Sequence, residues 1–169
     1  MQAKATRSAE CLSCLGLKGT PRISPGPPIY IGEYWQVEHA YPSALVGWLV
    51  IALRRHAIAL HELSSLEFAE FGSILERTVR ALHDATGAAK EYVACYAEQG
   101  GFEHLHFHVV PRAPDLPEEF RGAGSFAFLR VSGSEAAAPE LVRRLCESLQ
   151  ASMADAESAR RLKGDAAWV

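Results

Sequence analysis

The stretch His104-Leu105-His106-Phe107-His108-Val109-Val110-Pro111-Arg112 decides how the chain is read. Side chains on a β-strand alternate between two faces, so His104, His106 and His108 share one face while Leu105, Phe107 and Val109 share the other. One face is then suited to packing under a helix, and the other carries three imidazoles in a row. Imidazole is the side chain whose ordinary pKa lies nearest neutrality, so such a row can attack, hold a proton or bind metal. Packed cores do not stack titratable groups on one face without a use for them. Proline has no N–H for a ladder, so Pro111 is expected to end the strand after Val110.

Working outward, Glu91 to Ala97 reads as a strand, joined to the histidine strand by a tight connection at Gly100-Gly101. Gly47 to Leu53 is apolar on both faces and reads as a central strand. Glu33 to Glu38 alternates, with Trp35 and Val37 on one side and Tyr34, Gln36 and Glu38 on the other. Between these strands, Ser64 with Glu67 three residues on forms a capping box. Leu66, Phe71, Ile74, Leu75, Thr78 and Leu82 follow at helical spacing, and Gly87 supplies a stop, which predicts a helix over about residues 65 to 86. Leu141, Leu145, Leu149 and Met153, behind Pro139, predict a last helix over roughly residues 137 to 156. These elements give an α+β fold: an antiparallel, about five-stranded sheet with one long helix and a C-terminal helix. Residues 1–28, rich in Gly and Pro toward their end, read as an irregular arm without a helix. Residues 29–158 form the folded domain and residues 159–169 a C-terminal tail in which Trp168 stands out.

The 169 residues suit a single domain, and a net charge of −3 gives no broad footprint for a nucleic-acid polymer. A small phosphorylated ligand needs only a local site. The first ten residues carry no apolar run, and no stretch reaches the roughly 18 apolar residues of a membrane span, so a cytoplasmic protein with no membrane partner is expected. In that compartment the four cysteines are not a disulfide framework. Cys11 and Cys14 form a C-x-x-C pair suited to metal or redox chemistry, while Cys95 and Cys146 read as small core residues.

The run from His104 to Arg112 resembles the signature of the histidine-triad nucleotide hydrolases and transferases, His-φ-His-φ-His-φ-φ. The block Gly47-Trp48-Leu49-Val50-Ile51-Ala52-Leu53-Arg54-Arg55-His56 and the Leu63-Ser64 helix start resemble the same family's central strand and loop. Cys11-x-x-Cys14 resembles its metal-binding arm. The similarity spans about residues 11 to 113. It implies that His106 is a nucleophile attacking the α-phosphorus of a nucleotide, with His108 bonding the phosphate oxygens or leaving group, and that water then hydrolyses the nucleotidyl-histidine. It also implies structural Zn²⁺ held by Cys11, Cys14, His56 and His104, the two imidazoles completing the four ligands that zinc takes, and a homodimer.

The chain departs from the family's pattern in three places. Trp48 stands where many members carry His. Gly100-Gly101-Phe102-Glu103 replaces a polar Gly-Gln-Ser/Thr run, so the hydroxyl that assists the leaving group is missing and Gly101 sits near its position. No asparagine for the ribose is evident, and His39 or Glu38 lies in that neighbourhood. The expected substrate-binding residues are therefore Gln99, Gly100, Gly101 and His39. The resemblance implies a dinucleoside polyphosphate, a nucleoside phosphoramidate or an adenylylated conjugate as substrate. Two other functions fit the residues: a non-catalytic nucleotide-binding protein stapled by zinc, and a metal-dependent hydrolase with His104, His106 and His108 as ligands.

Overall fold

A computed structural model describes residues 11–19 and 24–165, with side chains to 155. Expectations for residues 1–10, 20–23 and 166–169, Trp168 among them, lie outside the described residues. The chain is α+β. Its elements are α1 (Leu12–Leu17), β1 (Tyr30–Ile31), β2 (Trp35–His39), β3 (Leu49–Leu53), α2 (Ser65–Thr86), β4 (Lys90–Ala94), β5 (His106–Arg112) and α3 (Pro139–Asp165). The strands form one sheet in the order β1-β2-β3-β5-β4, antiparallel throughout.

Alternation along the central strands divides the sheet. Leu49, Ile51 and Leu53 of β3 and Val109 of β5 face a core shared with Trp35 and Val37 of β2, and with α2 and α3. Val50 and Ala52, of the opposite parity, line a cavity on the other face together with His106 and His108. In register, Ala52 pairs with His106 and Val50 with His108.

Helix α2 begins and ends where its residues require. Ser64 Oγ accepts from the Glu67 N–H at 3.3 Å, and the Glu67 carboxylate accepts from the Ser64 N–H at 2.7 Å. Gly87 closes the helix in the left-handed region at φ 64°, a conformation that costs glycine little. Its buried face is Ile74, Thr78, Ala81 and Leu82, while Leu66, expected on that face, is exposed in the first turn.

Several boundaries differ from expectation. The arm contains α1, a six-residue helix too short to persist alone. The Leu12 N–H donates to the Gly101 carbonyl at 2.8 Å, which anchors it to the turn before β5. β5 begins at His106 and runs through Pro111 to Arg112. Pro111 is tolerated because β3 pairs with β5 only as far as Val109, so the proline lies beyond the doubly hydrogen-bonded part of the strand. α3 buries Val142, Cys146, Leu149 and Met153 rather than a stripe through Leu141, which is exposed. Its backbone is helical through Asp165, so the tail expected from residue 159 is a continuation of α3 over residues 159–165. Gly122–Leu129 is a 3-10 helix that places Phe126 and Leu129 in the cavity wall.

Candidate functional site

Two clusters meet at the start of β5. The first lies beneath α1. Cys11 Sγ is 3.7 Å from His104 Nδ1, and Cys14 Sγ is 3.4 Å from both His104 Nδ1 and His56 Nδ1. The four ligand atoms all lie within 4.8 Å of one another. Tetrahedral zinc, with Zn–S of about 2.3 Å and Zn–N of about 2.0 Å, sets its sulfur and nitrogen donors about 3.5 Å apart, and the three measured separations straddle that spacing. His104 Nε2 sits 2.6 Å from the Leu53 carbonyl. A carbonyl only accepts, so the His104 proton is on Nε2 and the lone pair on Nδ1 faces the sulfurs. Burial pushes the His104 pKa down to about 4, against the Leu53 hydrogen bond, which keeps the imidazole in its ligand form. The donor set, spacing and tautomer fit zinc.

The second cluster is the remainder of the triad. His104 turns away to the cysteines, and it lies outside the strand rather than on the same strand face as the other two. His106 Nδ1 is 2.6 Å from the His104 carbonyl, which fixes its proton on Nδ1. His106 Nε2 therefore carries a lone pair, and its neighbour at 3.2 Å is His108 Nε2. The other nitrogen of His108, Nδ1, receives the indole N–H of Trp48 at 3.1 Å. Burial lowers the pKa of His106 and pushes that of His108 down to about 3, which favours the neutral form of both rings. Among the described residues the only group of three or more potential metal ligands is Cys11, Cys14, His56 and His104. The three triad imidazoles do not converge on one point, which overturns the alternative of a hydrolytic metal held by all three.

The cavity holds ≈ 730 Å³, a size suited to a nucleotide-sized ligand. Helix α1 contributes Leu12, Ser13, Gly16 and Leu17 to one wall; Glu38, Tyr41, Tyr96 and Phe126 add others. Phe126 packs edge-on against His108, Trp48 and Tyr96, with ring centroids 5.0, 5.1 and 5.4 Å apart.

The expected substrate-binding residues divide. Gln99 lines the cavity, but neither Gly100 nor Gly101 does. These glycines make the turn on which α1 docks. Gly101 has φ 81° and gives its carbonyl to Leu12. His39 borders the cavity, yet its Nδ1 donates to the Ala40 carbonyl at 2.7 Å and its Nε2 accepts the Gly47 N–H at 2.9 Å. Both polar atoms are occupied within the chain, so His39 shapes the wall and offers a ligand no hydrogen bond. Trp48, which stands where many family members carry His, and Phe126, to which the sequence gives no site role, both meet His108. Their approach to His108 spans 60 residues for Trp48 and depends on a loop with no periodic signal.

No protein-family model matches the chain, and no curated protein matches it. Solved structures do. A zinc-bound histidine triad family protein from Mycobacterium smegmatis superposes with a TM-score of 0.63 at 20% identity, over 90% of this chain and 99% of that one. A hypothetical histidine triad nucleotide-binding protein from Sulfolobus tokodaii strain7 gives 0.65 at 16% identity, over 86% and 93%. A histidine triad protein from Bradyrhizobium japonicum gives 0.63 at 20% identity, over 75% and 90%. The chain has the fold of histidine-triad proteins.

Proposed function

We propose that the protein is a nucleotide hydrolase or nucleotidyl transferase that attacks an α-phosphorus through His106. The observation that carries this reading is the pinned tautomer of His106. Its Nδ1 proton is held by the His104 carbonyl, which leaves Nε2 unprotonated at the cavity, its lone pair accepting from His108 Nε2 until phosphoryl oxygens take that hydrogen bond over. In the first step the Nε2 lone pair forms a bond to phosphorus, and the bond from phosphorus to the leaving oxygen breaks, its electron pair departing with that oxygen. The Nδ1 proton stays in place, so the positive charge on the nucleotidyl-imidazole is stabilised by the carbonyl. In the second step water attacks phosphorus, the P–N bond breaks, its pair returns to Nε2, and one water proton passes to solvent. A second nucleophile in place of water gives transfer. His108 donates its Nε2 proton in a hydrogen bond to the phosphoryl oxygens.

Cys11, Cys14, His56 and His104 would hold a structural Zn²⁺. When bound, the ion cross-links the arm to the start of β5 and supplies no group to the reaction. In this reading the substrate is a nucleotide conjugate rather than a nucleic-acid polymer, and the protein is cytoplasmic and homodimeric. No helix among the described residues is long and apolar enough to cross a membrane.

The test is to mix the protein with a nucleotide-conjugate panel, quench at alkaline pH and look by mass spectrometry for a nucleotidyl group on His106. The expected result is a labelled His106 and no turnover by His106→Gly, which lacks the nucleophile but keeps its fold. Turnover by His106→Gly at the wild-type rate refutes the mechanism. Binding of nucleotide with no product from any conjugate selects the alternative, a non-catalytic, zinc-stapled binding protein.

A further inference from the structure

Trp48 is the residue of the site whose chemistry is least flexible. An indole nitrogen donates and never accepts. Trp48 is fully buried, and its ring is held edge-on between His108 and Phe126, at centroid distances of 5.8 and 5.1 Å. It therefore cannot turn its N–H away without unpacking the wall. The bond directions run one way from there. Trp48 Nε1–H points at His108 Nδ1, so the single His108 proton is on Nε2 and faces His106 Nε2, while the His106 proton goes to the His104 carbonyl. Each bond in the chain has one donor and one acceptor, and both ends are fixed by groups that cannot exchange roles.

We infer that Trp48 is a positioning residue that denies His108 a second proton, and that the site in consequence selects substrates whose leaving group departs as a stable oxyanion. These are phosphoanhydrides and nucleotidyl–carboxylate mixed anhydrides, in preference to phosphoramidates. The inference rests on the proposed attack by His106. A second proton on His108 would have to enter at Nδ1, directly against the indole N–H. A neutral His108 can offer a hydrogen bond through Nε2–H, but releasing that proton would leave an imidazolate, which is far too basic to form. Among the described residues, the titratable ring that meets His108 is that of His106, due to become positively charged on attack, which disfavours an imidazolium beside it. A departing phosphate or carboxylate needs no proton as the bond to phosphorus breaks. A departing amine does, because the nitrogen must take up a proton as its bond to phosphorus is lost. The turn before β5 adds no hydroxyl to make good the loss, since Gly101 stands there.

The experiment compares an adenosine 5′-phosphoramidate with a diadenosine polyphosphate and an acyl adenylate, which share the attacked phosphorus. A positioned general acid is worth about 10²–10⁴-fold, so wild-type kcat/KM on the anhydrides should exceed that on the phosphoramidate by about a hundredfold or more. Trp48→His, whose ring can accept as well as donate, should narrow that ratio at least tenfold. Imidazole ¹⁵N spectra supply a readout independent of turnover. In the wild type, His108 should show an unprotonated Nδ1 and a protonated Nε2 from pH 5 to 8, and Trp48→Phe should give a mixture of tautomers. Wild-type spectra and selectivity decide the matter even where a Trp48 variant does not fold. Equal cleavage of phosphoramidate and anhydride overturns the substrate class, and a proton on His108 Nδ1 overturns the role of Trp48. Cleavage of none of the three overturns the hydrolase reading itself, whatever the spectra show of the tautomer.

Discussion

Replacing Glu67 by Gln tests whether the loop carrying His56 is held by one buried carboxylate. Glu67 accepts from Arg55 at 2.6 and 2.9 Å and from the Ser64 N–H at 2.7 Å. Its side chain is 5% exposed, whereas that of Arg55 is 46% exposed. A hydrogen bond to a charged group is worth about 1.5–3 kcal/mol, but solvent reaches the guanidinium, so the pair is credited with about 1 kcal/mol. Glutamine keeps an oxygen for the Ser64 N–H, and the Ser64 Oγ bond goes to a backbone N–H, so the cap itself survives. Glutamine also turns an NH₂ toward the guanidinium donors. A total near 1 kcal/mol lowers Tm by about 2–4 °C for a chain of this size. Arg55, and after it Ser64, hold the Glu67 carboxyl down at about 2, against about 4.3 in an unfolded chain. A lowered folded pKa gives stability that is complete above the unfolded value and is lost as pH falls toward the folded one. The difference in Tm between wild type and variant should therefore be full at pH 7 and shrink between about pH 5 and pH 3. Thermal melts followed by circular dichroism measure it. Because Arg55 precedes His56, chelator competition should also show weaker zinc binding in the variant. A Tm difference below about 1 °C at pH 7, or one that stays constant down to pH 3, would refute the reasoning.

Burial pushes His39 down to about 4 and His108 to about 3, so near pH 5 each takes up a proton on unfolding. Stability should rise with pH there by about 1.4 kcal/mol per pH unit for each ring, and His39→Gln should remove one ring's share of the slope in denaturant titrations. Stripping metal with a strong chelator should release α1, read as faster exchange of the Leu12 amide, and should raise KM more than it lowers kcat, because α1 is a wall of the cavity and not part of the chemistry. Unchanged exchange after metal loss would show that the arm is held by packing alone. Gly101→Ala places a Cβ 3.3 Å from Leu12 Cδ1 at φ 81°. The left-handed backbone alone costs about 1–2 kcal/mol, so Tm should fall by a few degrees, and a melt matching the wild type would contradict the turn geometry.

The parts of the molecule legible in sequence are those specified locally. Helix α2 announces both of its ends, Ser64 with Glu67 at one and Gly87 at the other. The alternation of β5 sets Phe107 and Val109 apart from His106 and His108. His39 shares the parity of Trp35 and Val37 and is as buried, but at the end of β2 it borders the cavity, its nitrogens taken by the Ala40 carbonyl and the Gly47 N–H, which no alternation shows. α1 was unreadable because six residues do not make a stable helix; it exists through a bond to Gly101 and its place over His56 and His104. The Trp48 bond to His108 and the contact of Phe126 with both depend on long-range packing, for which one sequence carries no periodic sign.

The sheet's two parities separate two kinds of change. Leu49, Ile51 and Leu53 hold the domain together, and truncating any of them costs about 2–5 kcal/mol. Val50 and Ala52, interleaved with them, border the ligand space and can vary in bulk while the packed layer behind stays as it is. Drift along one short strand can therefore reshape what the protein accepts at little expense to folding. A lineage built on this framework is free to change diet before it risks collapse.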